Sequence, residues 1–417
     1  MKQLQFAILF SAALLAACEG PAGPAGADGT NGTNGTNGKD ANSVCMTCHS
    51  NATMLARTTE YELSKHFTGN TSARNTKYCA RCHTSEGFLE VTGANKYVVS
   101  NDMPNATRIN CTTCHKHSGF EFAVDTNLRI LRATDPVMLN YDKNAVATDF
   151  GKMNNLCVNC HQIRGVTSIN YTDSLGAVKT YDQMPYFPFS KTKDDNAAVT
   201  YPVGRSFSVH DGNQSNLFKG INGYEYNGQT YTRVWQHSAA NCTTCHMNKW
   251  DPVAKVGGHS LKPNEVECEK CHTDEHIAPT RAKIDAKRIE LAELLSARKV
   301  FRKTVNASGV ASYSAMQTHD FYGTLFPTTQ SSTRYATALA GANTVSPTTG
   351  LVVYGNTVTM ATDANWQYRI GRPWKMGELG AAYNYGYINS ELSMGVHNPV
   401  YAMQLLQKSI DWLKANP

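Results

Sequence analysis

The sequence predicts a mostly α-helical and irregular fold with few short strands. Three observations predict it. Six identical Cys-x-x-Cys-His units are spread between residues 45 and 272, and each needs only one helical turn. The segments between them are rich in Gly, Asn and Thr and show little alternating apolar pattern. Stretches beyond residue 279 carry apolar residues at near-helical spacing.

At 417 residues the chain has room for one large or two ordinary domains, and 41% hydrophobic with 17% charged residues excludes a disordered polymer. The formal charge of +6 comes from scattered cations without a Lys/Arg run. Nucleic acid is therefore not an expected partner.

Cysteine usage decides the chemistry. Twelve of the thirteen cysteines fall in the six units: Cys45 and Cys48 with His49, Cys79 and Cys82 with His83, Cys111 and Cys114 with His115, Cys157 and Cys160 with His161, Cys242 and Cys245 with His246, and Cys268 and Cys271 with His272. Two thiols three positions apart on a helical turn can both reach one edge of a porphyrin and form thioethers with its vinyl groups. The histidine that follows turns under the ring to bind iron. Zinc would leave a histidine after every pair unexplained, a redox dithiol would be single and set in a βαβ pattern, and a disulfide across so short a ring is strained. The expected cofactors are thus six haem c groups, which would form much of the core.

The second axial ligand separates a wire from an enzyme. Fourteen histidines less six proximal ones leave His66, His117, His210, His237, His259, His276, His319 and His397. Six haems can all be bis-histidine with two to spare. Such ligation fills the iron's coordination and leaves no position for substrate, which favours electron transfer over catalysis. Context selects His66, His117, His210, His237, His259 and His397 as distal candidates. His237 and His259 stand beside attachment sites, His66 lies between the first two, and His210 lies in the long gap before Cys242. His117 follows His115 by two residues and would point to a neighbouring haem; His397 lies where a loop meets the C-terminal helix. His276 and His319 read as ordinary histidines.

Residues 1–17 have a cationic start at Lys2 and an apolar run to Ala17, the pattern of an export signal. Leu15-Ala16-Ala17-Cys18 looks like a lipobox, which makes Cys18 the acylated first residue of the mature chain; Glu19 favours sorting to the outer membrane, on its periplasmic or cell-surface side. Residues 18–40 then add Gly-x-y triplets to that cysteine, a collagen-like composition read as a polar extended tether, with trimerisation as the sharper alternative. Residues 41–277 form the hexahaem domain. Residues 278–417 form a helical region packing on it: a solvent-facing amphipathic helix at 280–303, loops with one strand near LVVYG over 304–361, then helices near 366–393 and 399–412. The segment YNGQTYTRVW reads as a short strand or hairpin.

The motifs CARCHTSEGF, HSAANCTTCHM with VGGHS, and GVHNPVYAMQLL resemble segments of the multihaem c-type cytochromes exported by metal-respiring and related bacteria, some of which polymerise into extracellular wires. The resemblance spans residues 41 to about 277 and the C-terminus, and implies that His237, His259 and His397 are distal ligands. It also implies redox proteins, other multihaem cytochromes among them, as partners, with a homo-oligomer or filament as a second reading. The same superfamily holds reductases of nitrite, hydroxylamine or sulfur oxyanions, which mark a catalytic haem by an altered motif or a missing distal ligand; here all six motifs end in His.

Overall fold

The computed structural model describes residues 46, 49–69, 74–94, 98–116, 131–139, 147–163, 168–172, 178–182, 194–197, 209–269, 272, 277–298, 300–315, 343–345, 352–354 and 375–417. The chain divides into two units, Met1–Thr47 and Cys48–Pro417, and of the first only Met46 is described. The export signal, Cys18 and the tether therefore lie outside the described residues, as do Cys45, Cys48, Cys271, His117, His276 and His319. Among the described residues no helix is long and apolar enough to cross a membrane.

The second unit is mostly helical and irregular, as its composition predicts. Its first half strings short helices between loops: α1 Asn51–Glu62, α2 Lys65–Thr68, α3 Ala80–His83, α4 Ser85–Ala94, α5 Cys111–Cys114 and α6 Lys152–Val158. Helices of one turn are marginal alone, so side-chain caps start several of them. Ser50 Oγ accepts from Thr53 N at 3.1 Å, Ser64 Oγ accepts from Phe67 N at 3.1 Å, and Asn110 forms a reciprocal capping box with Thr113. The Ser64 cap fixes the turn that carries His66. After the hairpin of β1 Ser168–Thr172 with β2 Val178–Asp182 come two further short helices, α7 Gln214–Lys219 and α8 Cys242–His246.

The second half is organised differently. Helices α9 Ile277–Ala297, α10 Met376–Ser390 and α11 Pro399–Ala415 pack on one another around Ile284, Leu291, Leu295, Leu379, Leu405 and Ile410. Asn398 caps α11 by accepting from Tyr401 N at 3.0 Å, and Pro399 pre-sets its first turn. At the far end Arg298 donates to the carbonyls of Leu413 and Asn416, a cation placed on the negative end of the helix dipole. It also pairs with the buried Glu378 at 3.0 Å. The interfaces are tight: a Cβ on Gly380 would stand 2.3 Å from the Tyr224 ring. Truncating the fully buried Leu405 to Ala is expected to cost about 2–5 kcal/mol and lower the denaturant midpoint.

Three expectations need correction. The helix expected over 280–303 ends at Ala297 and is not simply solvent-facing, because Ile284, Leu291 and Leu295 are buried against α10 and α11 while Ile289 on the other side is 41% exposed. Beyond it the described residues form two hairpins, β3 Phe301–Val305 with β4 Ala311–Ala315, and β5 Asn343–Val345 with β6 Val352–Tyr354, the last being the strand expected near LVVYG. YNGQTYTRVW is neither strand nor hairpin. Its backbone donors are taken by side chains: Tyr226 N donates to Tyr231 Oη at 3.0 Å, Asn227 N to Asp195 Oδ2 at 2.8 Å and Thr232 N to Gln404 Oε1 at 2.7 Å. No ladder can form across it.

Candidate metal centres

Four of the attachment motifs sit on helical turns, as two thiols serving one edge require. Cys79 opens α3, Cys111 and Cys114 bound α5, Cys157 lies in α6, and Cys242 and Cys245 lie in α8. Cys268 instead ends the 3-10 turn Glu265–Glu267. None of the nine described cysteines is joined to another in a disulfide.

The histidines come together in pairs that sequence proximity does not suggest. Ring centroids stand 6.0 Å apart for His66 and His161, 6.3 Å for His83 and His210, 6.5 Å for His115 and His259, 5.8 Å for His237 and His272, and 6.1 Å for His246 and His397. Each pair joins one histidine of a motif to one outside the motifs. A metal–imidazole nitrogen bond is about 2 Å, and the nitrogen lies about 1 Å from its ring centre, so two imidazoles on opposite faces of one iron have centroids about 6 Å apart. That spacing is too wide for a ring stack or a direct hydrogen bond and fits one intervening metal. Among the described residues no three or more His, Cys, Asp or Glu side chains converge as a metal cage, so the fourfold plane of ligands would come from a porphyrin.

The second ring nitrogens complete the geometry. A histidine that binds metal through Nε2 normally engages its Nδ1 proton with an acceptor, which fixes the tautomer. His161 Nδ1 lies 3.0 Å from Gln214 Oε1, His246 Nδ1 2.9 Å from the Leu261 carbonyl, His210 Nδ1 2.5 Å from the Asp211 carbonyl and His397 Nδ1 2.7 Å from Glu391 Oε2. His259 is looser. Its Nδ1 is 3.5 Å from Glu60 Oε2, too long for a good bond, while its backbone N–H donates to the same oxygen at 2.9 Å. Glu60 is in turn gripped by Arg57 at 2.7 and 2.9 Å. Burial opposes ionisation of Glu60, but the bonds from His259 N and Arg57 prevail and hold its carboxyl below the usual range.

Burial also keeps the rings neutral, the form that binds metal. It pushes His66 down to about 4, with His161 adding to the shift, and it lowers His161, His246 and His259 as well. Two more features suit a porphyrin. Trp235 Nε1 is buried without a partner among the described residues, with its ring 4.8 Å from that of His237, and fits a porphyrin carboxylate. Lys65 and Arg108 line a cavity beside His66, Cys82 and His83, offering cations for the same groups.

The motifs themselves are packed together. Cys157 lies beside Cys242, and Cys160 beside Cys82. Asn154 ties α6 to α8 by accepting from Cys242 N at 2.6 Å and donating to the Ala240 carbonyl at 3.2 Å. Thr113 Oγ1 donates to Ser85 Oγ at 2.7 Å, joining the Cys111 motif to the helix that follows His83. Porphyrins on these motifs would therefore be neighbours. His49 is described and exposed, and the distal candidate His117 lies outside the described residues. The Nδ1 partners Gln214, Glu391 and Glu60 carry no motif, and nothing in the sequence singles them out.

Paired imidazoles beside Cys-x-x-Cys-His turns define the class: the chain is a multihaem c-type cytochrome binding haem c. Comparison with known proteins agrees at this level. Residues 216–273 match the family model described as cytochrome c554 and c-prime. The chain is 26% identical over 136 residues to the C-type polyheme cytochrome OmcB of two Geobacter sulfurreducens strains, over 29% of this chain. It spans 17% of the length of those curated relatives. Among solved structures it matches the cytochrome c nitrite reductase of Desulfovibrio desulfuricans at 15% identity, over 84% of this chain and 66% of that one, with a TM-score of 0.37.

Proposed function

We propose that this protein is an exported electron carrier with six bis-histidine haems, held at the outer membrane by acylated Cys18 and the extended tether that follows. The observation that carries the reading is the set of imidazole pairs at 5.8–6.5 Å. The ligand pairs would be His161 with His66, His83 with His210, His115 with His259, His272 with His237 and His246 with His397, leaving His49 with His117. When bound, each haem supplies a one-electron couple. The chain's residues do the rest. Histidines on both faces exclude substrate, Nδ1 acceptors orient the rings, and the packing of α3, α5, α6 and α8 sets the spacing between centres.

Intact mass and electron paramagnetic resonance of the oxidised holoprotein test this together. Six haem masses with six low-spin centres are expected, the near-parallel rings of His246 and His397 (11°) giving a signal distinct from the near-perpendicular His83 and His210 (71°). A chain without haem, or with zinc, would end the proposal. A native high-spin centre binding nitrite would instead favour the reductase reading. Membrane attachment is separable: Cys18→Ser is expected to move the protein from the membrane to the soluble fraction, and retention would remove the anchor from the account.

A further inference from the structure

One hydrogen-bonded path links two of the pairs. His161 Nδ1 meets Gln214 Oε1 at 3.0 Å, Gln214 Nε2 donates to the backbone carbonyl of Glu391 at 3.1 Å, and Glu391 Oε2 stands 2.7 Å from His397 Nδ1. The path thus joins the centre of Cys157 and Cys160 to that of Cys242 and Cys245. Its two ends differ in charge. His161 faces a neutral amide and His246 a neutral carbonyl, whereas His397 faces a carboxylate.

Glu391 is fully buried, and its side chain takes four donors. Ser393 N and Gly395 N donate to Oε1, while Ser393 Oγ, at 2.6 Å, and His397 Nδ1 reach Oε2. Four acceptor sites are what an ionised carboxylate offers, so the Nδ1 proton belongs to His397. All four donors are neutral. Glu60, the carboxylate behind His259, is different, because Arg57 pairs with it and the ring stands off at 3.5 Å. A buried negative charge hydrogen-bonded to a metal-bound imidazole raises the basicity of that ligand and stabilises the more positive metal state.

We propose that Glu391 is a positioning and potential-setting residue for the centre of Cys242, Cys245, His246 and His397, holding it at a lower potential than its neighbour at Cys157 and Cys160. An electron shared by the two centres then settles on the Cys157 and Cys160 side. The transfer is a single-electron exchange in which no bond is made or broken. This rests on the bis-histidine carrier reading above.

Potentiometric titration of the fully loaded holoprotein, followed optically and by electron paramagnetic resonance, tests it with Glu391→Gln and Ser393→Ala. Glu391→Gln should favour reduction of one centre by at least tenfold, about 59 mV for one electron, with every centre still low-spin. Ser393→Ala removes the competing hydroxyl donor from Oε2, leaves the carboxylate in place, and should move the same component the opposite way. Components that stay put in both variants overturn the proposal. So does a low-spin signal lost in Glu391→Gln, because Glu391 would then only hold His397 in place. Failure of the carrier reading looks different, since it would appear in the unsubstituted protein as missing or high-spin haem.

Discussion

Replacing His397 by alanine is expected to convert one low-spin centre into a high-spin, ligand-binding one and leave the others unchanged. The ring stands 6.1 Å from His246 and contributes nothing to the cap of α11, which Asn398 supplies to Tyr401 N. The apolar contacts of that helix come from Tyr401 in its first turn and from Leu405, Leu406 and Ile410 further along, all buried. The substitution would open one face of one iron and leave the buried Glu391 carboxylate one donor short, a loss toward the upper end of the roughly 0.5–3 kcal/mol common for single substitutions. Its spectroscopic effect is all-or-none for that centre. Cyanide binding to one haem in the variant and to none in the parent is the expected readout. An unchanged spectrum would separate His397 from the iron and break the pairing that the geometry suggests.

The attachment chemistry was legible because a thioether-linked haem needs two thiols and an imidazole within five residues, a local requirement that sequence states directly. The pairing was not. His237 lies five residues before Cys242, yet it stands opposite His272; His259 lies nine before Cys268, yet it stands opposite His115. The pairing of the rings is a tertiary property, created when α1 brings Glu60 against the turn Gly258–Ser260 and when the residues before α11 bring His397 beside α8. The same limit explains YNGQTYTRVW. Its residues suit a strand, but Asp195, Tyr231 and Gln404 take its backbone donors, and a contact 172 positions away cannot be read from a local window. The helix expected at 399–412 was readable to within a few residues, whereas that expected near 366–393 begins only at Met376, and the side of α9 that is covered depends on α10 and α11.

Removing the haems should unfold the two halves of the second unit unequally. Among the described residues of α1 to α6 and the loops between them, the buried apolar clusters are small, Ala80 with Val91 and Val99, and Val137 with Leu139, Phe150 and Val158. At about 1.5–3 kcal/mol for each large buried side chain, such groups cannot offset an ordering cost of about 1–2 kcal/mol for every residue of α1 to α6. Porphyrin faces would supply the missing core there. The C-terminal helices need no such help, since Ile284, Leu291, Leu295, Leu379, Leu405, Leu406, Ile410 and Leu413 join one continuous cluster that also holds Tyr224, Tyr383, Tyr387 and Tyr401. Protein made in a host without cytochrome maturation should therefore lose amide protection across 51–62 and 80–94 by more than a hundredfold. The amides of Leu291 and Leu405 should keep most of theirs, and limited proteolysis should cut first before residue 163. Equal protection in both halves of the haem-free chain would mean that the short helices carry their own stability, and that the cofactors are guests in a fold that does not depend on them.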